Sequence, residues 1–207
     1  MRDGERLVLL DAGAGNSFGP AGGKLPASLA AAGVSPGQIT DVLISHGHGD
    51  HVAGLVDPGG ALAFPNATIR IAADEWTAIK ADAQLTALVT AITPKVETFE
   101  RGAVLSPSIT AQAIDGHTAG HTGYLIASGS DRLLYVGDTM HHSVVSVQRP
   151  DWRIAFDGNV AVATASRRAV LERAAADGSL VYAVHFPFPG IGRIAKAGET
   201  FVWVPQP

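Results

Sequence analysis

At 207 residues, 46% of them apolar and 16% charged, the chain is long enough to bury a sizeable core and reads as a single domain over 1–207. Its net charge of −4, without a Lys/Arg cluster, gives no argument for nucleic acid and points to small-molecule partners. The absence of cysteine excludes disulfides, thiolate metal ligands and a cysteine nucleophile.

The segment Arg6–Gly13 (RLVLLDAG) reads as a strand running into glycine. Asp11 interrupts its apolar run too early for a signal peptide, and no stretch reaches the ~18 apolar residues of a membrane span. The expectation is therefore a cytoplasmic protein that does not enter a membrane; an earlier start would leave room for a secretion signal. Leu25–Gly33 (LPASLAAAG) reads as a short helix stopped by Gly33. Thr40–His46 (TDVLISH) reads as a buried strand, and Asn66–Ala73 (NATIRIAA) as another. Asp74–Ile92 then reads as one helix with Asp74 as its N-cap.

In the second half, Ser108–Asp115, Thr122–Ser128 and Asp131–Asp138 read as strands separated by turn residues. Thr164–Gly178 has the clearest helical pattern, with Thr164 or Ser166 as cap and Gly178 as stop. Leu180–Phe186 reads as a strand, and Gly192–Val204 as a hairpin turning at Ala197-Gly198. Neither repeats nor linkers are visible. The pattern is α/β, with two strand-rich halves each ending in a helix.

The strand at Thr40–His46 delivers an unusual cluster, SHGHGDHVAGL, over Ser45–Leu55. Histidines at i and i+2 of an extended chain point the same way, so His46 and His48 can grip one cation. Asp50 and His51 follow where the chain bends into a helix and can face a second. The intervening glycines let the backbone fold tightly around the ions. One short segment cannot complete two metal shells. The missing donors lie at other strand ends: His117 and His121 in DGHTAGH, Asp138 after LLYVG, and His185 in VYAVHFP. His121 reads as a supporting or packing residue. Imidazole and carboxylate suit zinc, and also iron, manganese or cobalt. A lone histidine such as His185 is more often a packing residue, but three histidines and an aspartate in six residues are not. The glycine-rich DAGAGNSFG lacks the ending of a phosphate loop and reads as a tight turn near the floor of an active site. No G-x-S-x-G nucleophile is present.

In their order along the chain, HGHGDH, GHTAGH, Gly137-Asp138 and His185 resemble the metallo-β-lactamase superfamily. FGPAGGKLPASLAAAG, GDHVAGL, LAFPNA and HFPFPGIGRI are similar to its methyl parathion hydrolase branch, close to the lactonase-like hydrolases. The resemblance implies an αββα sandwich with two metals at one edge of its two sheets. It implies His46, His48 and His117 on the first metal, Asp50, His51 and His185 on the second, and Asp138 with a hydroxide bridging both. In GHTAGH the family ligand is the first histidine. Two departures stand out. Relatives usually carry one or two more strands before RLVLLDAG, so the first sheet is expected to be short at an edge. Without cysteine, the β-lactamases that place one on the second metal are a poor match.

The implied activity follows from charge. Two divalent cations against Asp50, Asp138 and hydroxide leave the site one positive charge, which polarises a carbonyl or phosphoryl oxygen. Bound metal lowers the pKa of water from ~15.7 to ~7, and Asp50 is the residue expected to orient the nucleophile and pass a proton. The expected enzyme is a dinuclear hydrolase of organophosphate triesters, lactones or aryl esters, with zinc first and manganese, cobalt or iron as alternatives. The rival readings are a mononuclear iron dioxygenase that oxidises sulfur, a β-lactam hydrolase, and a non-catalytic member. Phe64, Trp76, Met140, Trp152, Phe186 and Phe188 are candidate pocket residues, with His141 as a substrate contact. Related hydrolases are often dimers, so a homodimer is the assembly to test.

Overall fold

A computed structural model describes residues 1–206, which form two compact units, Met1–Glu100 and the chain from Arg101 onward. The first unit is built on a five-stranded sheet. β1 (Arg2–Asp3) pairs antiparallel with β2 (Arg6–Leu10), after which β3 (Asp41–Leu43), β4 (Thr68–Ala72) and β5 (Val96–Phe99) follow in parallel order. Parallel strands are covered on both faces and so read as apolar runs, as VLL and VLI do, whereas TIRIA alternates, with Ile69 and Ile71 buried and Arg70 partly exposed. Val42, Ile44, Ile69 and Ile71 form the centre of this core. The buried Asp41 is held there by Arg70 Nε at 2.9 Å.

Helix α1 (Leu25–Ala31) begins with Pro26 in its first turn and is followed by Gly33 at φ +71°. A single turn, α2 (Gly49–Val52), follows β3. The helix expected over Asp74–Ile92 is two helices, α3 (Ala73–Ala81) and α4 (Thr86–Ile92). Asp82 breaks it: its ψ is 110°, and its carboxylate accepts the Gln84 N–H at 2.8 Å, a local bond that competes with the helix ladder. Asp74 is not the cap. It sits within the first turn, where its charge still suits the helix dipole.

The second unit carries a seven-stranded sheet. Its chain order is β6 (Val104–Ser106), β7 (Ile109–Ala113), β8 (Thr122–Ser128), β9 (Asp131–Tyr135), β10 (Leu180–Tyr182), β11 (Ile191–Ala197) and β12 (Thr200–Pro205), and these lie side by side in that order. All pairs are antiparallel except β9 with β10. The long β9–β10 connection carries α5 (Val145–Gln148) and α6 (Val160–Asp177). Helix α6 starts before the expected Thr164. The Asn159 side chain accepts the Val162 N–H at 3.2 Å, while the Thr164 hydroxyl bonds back to Val160 O inside the helix. Gly178, at φ +65°, ends it as expected. This half closes on the β11–β12 hairpin rather than on a helix. Among the described residues, no helix is long and apolar enough to cross a membrane.

Candidate metal centre

In the first unit the cluster sits at the carboxyl ends of β2 and β3, where parallel sheets place their ligand-binding groups. Asp11 follows β2 directly in a left-handed conformation, φ 54°. Its N–H bonds Leu43 O at 2.9 Å, and the Ala12 N–H bonds His51 O at 2.8 Å, so the two strand ends are stapled together. The Asp11 carboxylate accepts three hydrogen bonds: Ser45 N–H at 2.7 Å, Ser45 Oγ–H at 2.7 Å and His51 Nδ1–H at 2.6 Å. Because the Ser45 hydroxyl donates to Asp11, it accepts from His46 Nδ1–H at 3.0 Å. Both rings are thereby set in the tautomer whose Nε2 carries the lone pair a divalent metal requires. His46 Nε2 lies 3.0 Å from His48 Nδ1, so two ring nitrogens converge. Asp50, in the first turn of α2, keeps a partly exposed carboxylate 3.5 Å from His51 Nε2.

The glycines of HGHGDH have another reason than tight folding around ions. Neither has a positive φ. A Cβ at position 47 would lie 2.5 Å from Ile79 Cγ1, and the Gly47 N–H bonds the buried Glu75 carboxylate at 2.7 Å, so α3 presses on this residue. Position 49 faces open space.

In the second unit, Tyr135 of β9 is opposite Tyr182 of β10. Asp138 and His185 each lie three residues beyond these partners, and Asp138 Oδ1 is 3.0 Å from His185 Nε2. The other carboxylate oxygen, Oδ2, is 3.4 Å from His117 Nε2 and 3.1 Å from His141 Nε2. The His141 ring stacks on His185 with centroids 4.8 Å apart. His117 comes from the β7–β8 loop and donates Nδ1–H to Asp157 at 3.0 Å. Burial lowers the His117 pKa, but the carboxylates of Asp138 and Asp157 outweigh it and hold the ring above its ordinary value. Burial raises Asp157, and His117 and Arg167 together pull it below the usual aspartate range.

His121 is spoken for at both nitrogens. Nδ1–H donates to Ile114 O at 2.9 Å, and Nε2 accepts the Asp138 N–H at 2.9 Å. It orients the Asp138 backbone and has no lone pair for a metal. His142 caps α5, its Nδ1 accepting the N–H groups of Val144 and Val145.

The expected pocket residues divide. Met140 and Phe186 are buried in the core of the second unit, Phe186 packing edge-on against Trp203, so both are packing residues rather than substrate contacts. Trp76 is likewise in the core of the first unit. Phe64 is buried but lines a cavity of about 510 Å³, together with the glycine-rich loop at 12–16, Leu25 and Leu62. None of His46, His48, Asp50 or His51 lines that cavity, although Ala12 of its wall bonds His51 O at 2.8 Å. Phe188 is fully exposed and Trp152 half exposed.

Sequence reasoning missed Asp11, Glu75, Asp157 and Arg167. Asp11 carries the same signal as Asp138, an acid directly after an apolar strand, but its glycine-rich sequel reads as a turn. The other three belong to no motif.

The chain matches the sequence model of the Metallo-beta-lactamase superfamily over residues 1–185. It is similar to the solved structure of AidC, a dizinc quorum-quenching lactonase in complex with a product, at 32% identity and TM-score 0.93, covering 100% of this chain and 77% of that one. It is similar to AbOPH, a hydrolase in the beta lactamase superfamily, at 29% identity and TM-score 0.88, over 98% and 76% of the two chains. A probable metal-dependent hydrolase from Staphylococcus aureus shares the fold, at 23% identity and TM-score 0.84 over 99% and 79%. No curated protein matches.

Proposed function

Because the chain belongs to the metallo-beta-lactamase superfamily, we propose that it is a dinuclear metal-dependent hydrolase of ester-type bonds in small molecules. Lactones are the leading substrate class, with organophosphate triesters and aryl esters next. The likeness to a dizinc lactonase at 32% identity supports that order. The observation that carries the reading is the Asp138 carboxylate, which offers one oxygen beside His185 and the other beside His117, as a bridge between two cations requires. The ligand sets proposed are those the superfamily resemblance implies: His46, His48, His117 and Asp138 for one ion, and Asp50, His51, Asp138 and His185 for the other. Zinc is the proposed metal, with manganese, cobalt or iron as alternatives.

The bound ions would supply Lewis acidity toward the carbonyl or phosphoryl oxygen and acidify water. Asp11 and Asp157 hold the His51 and His117 rings by Nδ1, so Nε2 is the nitrogen that would bind a metal. Asp50 keeps solvent access at its carboxylate and can receive a proton there. The partly exposed His141, its Nε2 3.1 Å from Asp138 Oδ2, is the proposed substrate contact.

The test is to count metals per chain and measure kcat/KM on lactones, paraoxon-like triesters, aryl esters and β-lactams. Two ions per chain with metal-dependent lactone hydrolysis is expected. One iron per chain without ester cleavage would establish the sulfur-oxidising alternative instead, and dominant β-lactam turnover would establish the other.

A further inference from the structure

Helix α6 turns a stripe of Ala163, Arg167, Leu171 and Ala174 into the protein interior. Positions at this spacing on a packed helix are ordinarily apolar throughout. Here one is an arginine whose side chain is 1% exposed. Four of the five N–H groups of its guanidinium are donated within the protein. Nε donates to Thr139 O at 2.7 Å, Nη1 to Pro150 O and Trp152 O at 3.0 Å each, and Nη2 to Asp157 at 2.8 Å. Three of these acceptors lie on the 150–157 segment, and the fourth adjoins Asp138. Asp157 accepts from Arg167 with one oxygen and from His117 with the other.

We propose that Arg167 is a positioning residue for the metal centre: it ties the loop carrying Asp138 to the segment carrying Asp157, and through Asp157 it fixes the ligating face of His117. This rests on the metal-centre reading above. The argument is geometric. Thr139 directly follows Asp138, whose own N–H is held by His121, so the guanidinium bond to the Thr139 carbonyl and the His121 bond anchor the backbone on the two sides of the Asp138 side chain. Only a planar fork reaches these acceptors together; a lysine ammonium has the charge but a different donor geometry.

The experiment uses the full chain with Arg167→Lys, Arg167→Met and Asp157→Asn. It reads Co(II) affinity by chelator competition, the Co(II) visible spectrum, and the melting temperature of the metal-free protein. Partners that orient a ligand typically contribute 10–100-fold in metal affinity. The expected result is a loss of about that size for at least one ion, with an altered Co(II) spectrum, in Arg167→Lys as well as Arg167→Met. Asp157→Asn should shift the spectrum in the same direction, and the Arg167→Lys/Asp157→Asn pair should lose less than the two single losses combined. A purely structural role would lower the melting temperature and leave affinity and spectrum as in the wild type, which overturns the proposal. Should the Arg167 variants not fold, unchanged affinity and spectrum in Asp157→Asn overturn it equally. A wild-type chain that binds no Co(II) defeats the metal-centre reading itself, whereas a wild type and variants that bind two ions alike defeat only the role of Arg167.

Discussion

Asp11 accepts the Nδ1–H of His51 at 2.6 Å with the same carboxylate that takes the N–H and hydroxyl of Ser45, each at 2.7 Å. One acid thus orients two proposed ligands, His51 directly and His46 through the Ser45 hydroxyl. Asparagine tolerates the left-handed backbone at this position but loses the charge that favours the His51 tautomer. Asp11→Asn should keep the fold and weaken binding of an ion by about 10–100-fold, and Asp11→Ala should weaken it further. Metal titration against a chelator is the check; wild-type affinity in Asp11→Ala would remove Asp11 from the site.

Asp138 faces His185 with one oxygen and His117 with the other. Its replacement by alanine should release at least one metal and nearly all activity. Mass spectrometry of the native protein counts the ions. Two tightly held metals together with wild-type turnover would falsify the bridging role.

The two histidines of GHTAGH should part company. His117→Ala should strip an ion. His121→Ala should leave the metal count unchanged but lower the melting temperature, because it orphans the buried Asp138 N–H and Ile114 carbonyl at about 1–3 kcal/mol each. The opposite pattern of metal loss would make His121 the ligand.

For the metal-free protein, stability should depend on pH at both ends. Asp157 is held below its ordinary value, so its contribution is present above that value and lost as pH falls through the lowered pKa. His117 is held above its ordinary value, so its contribution is present below that value and lost as pH rises through the raised pKa. Melting temperatures in chelator across a pH series should therefore peak between the carboxylate and imidazole ranges. Asp157→Asn should flatten the acid limb and only reduce the alkaline one, because Asp138 still raises His117; an unchanged profile would mean that the pair is not what titrates. Metal must displace the proton from His117, so metal affinity should decline on acidification.

The places where donors sit were legible in the sequence because they are local. A buried stretch of strand reads as an apolar run, and the residues just past LLYV and DVLI, Asp138 and His46, are named by that run alone. The convergence of His46 and His48 follows from extended-chain geometry over two residues. The breaks were less legible. Asp82 and Asn159 divide or start helices through side-chain bonds to nearby N–H groups, a competition that hydrophobic period does not register. What only the tertiary structure decided is which ring nitrogen of His46, His51 and His117 is held by a protein partner, and so which one is offered to the proposed metals. His51 is set by Asp11, 40 residues away; His117 by Asp157, also 40 away; and Asp157 by Arg167 on a helix whose pattern calls for an apolar residue there. Tautomer and ring orientation are properties of hydrogen-bond partners, and those partners are brought together only when the chain folds.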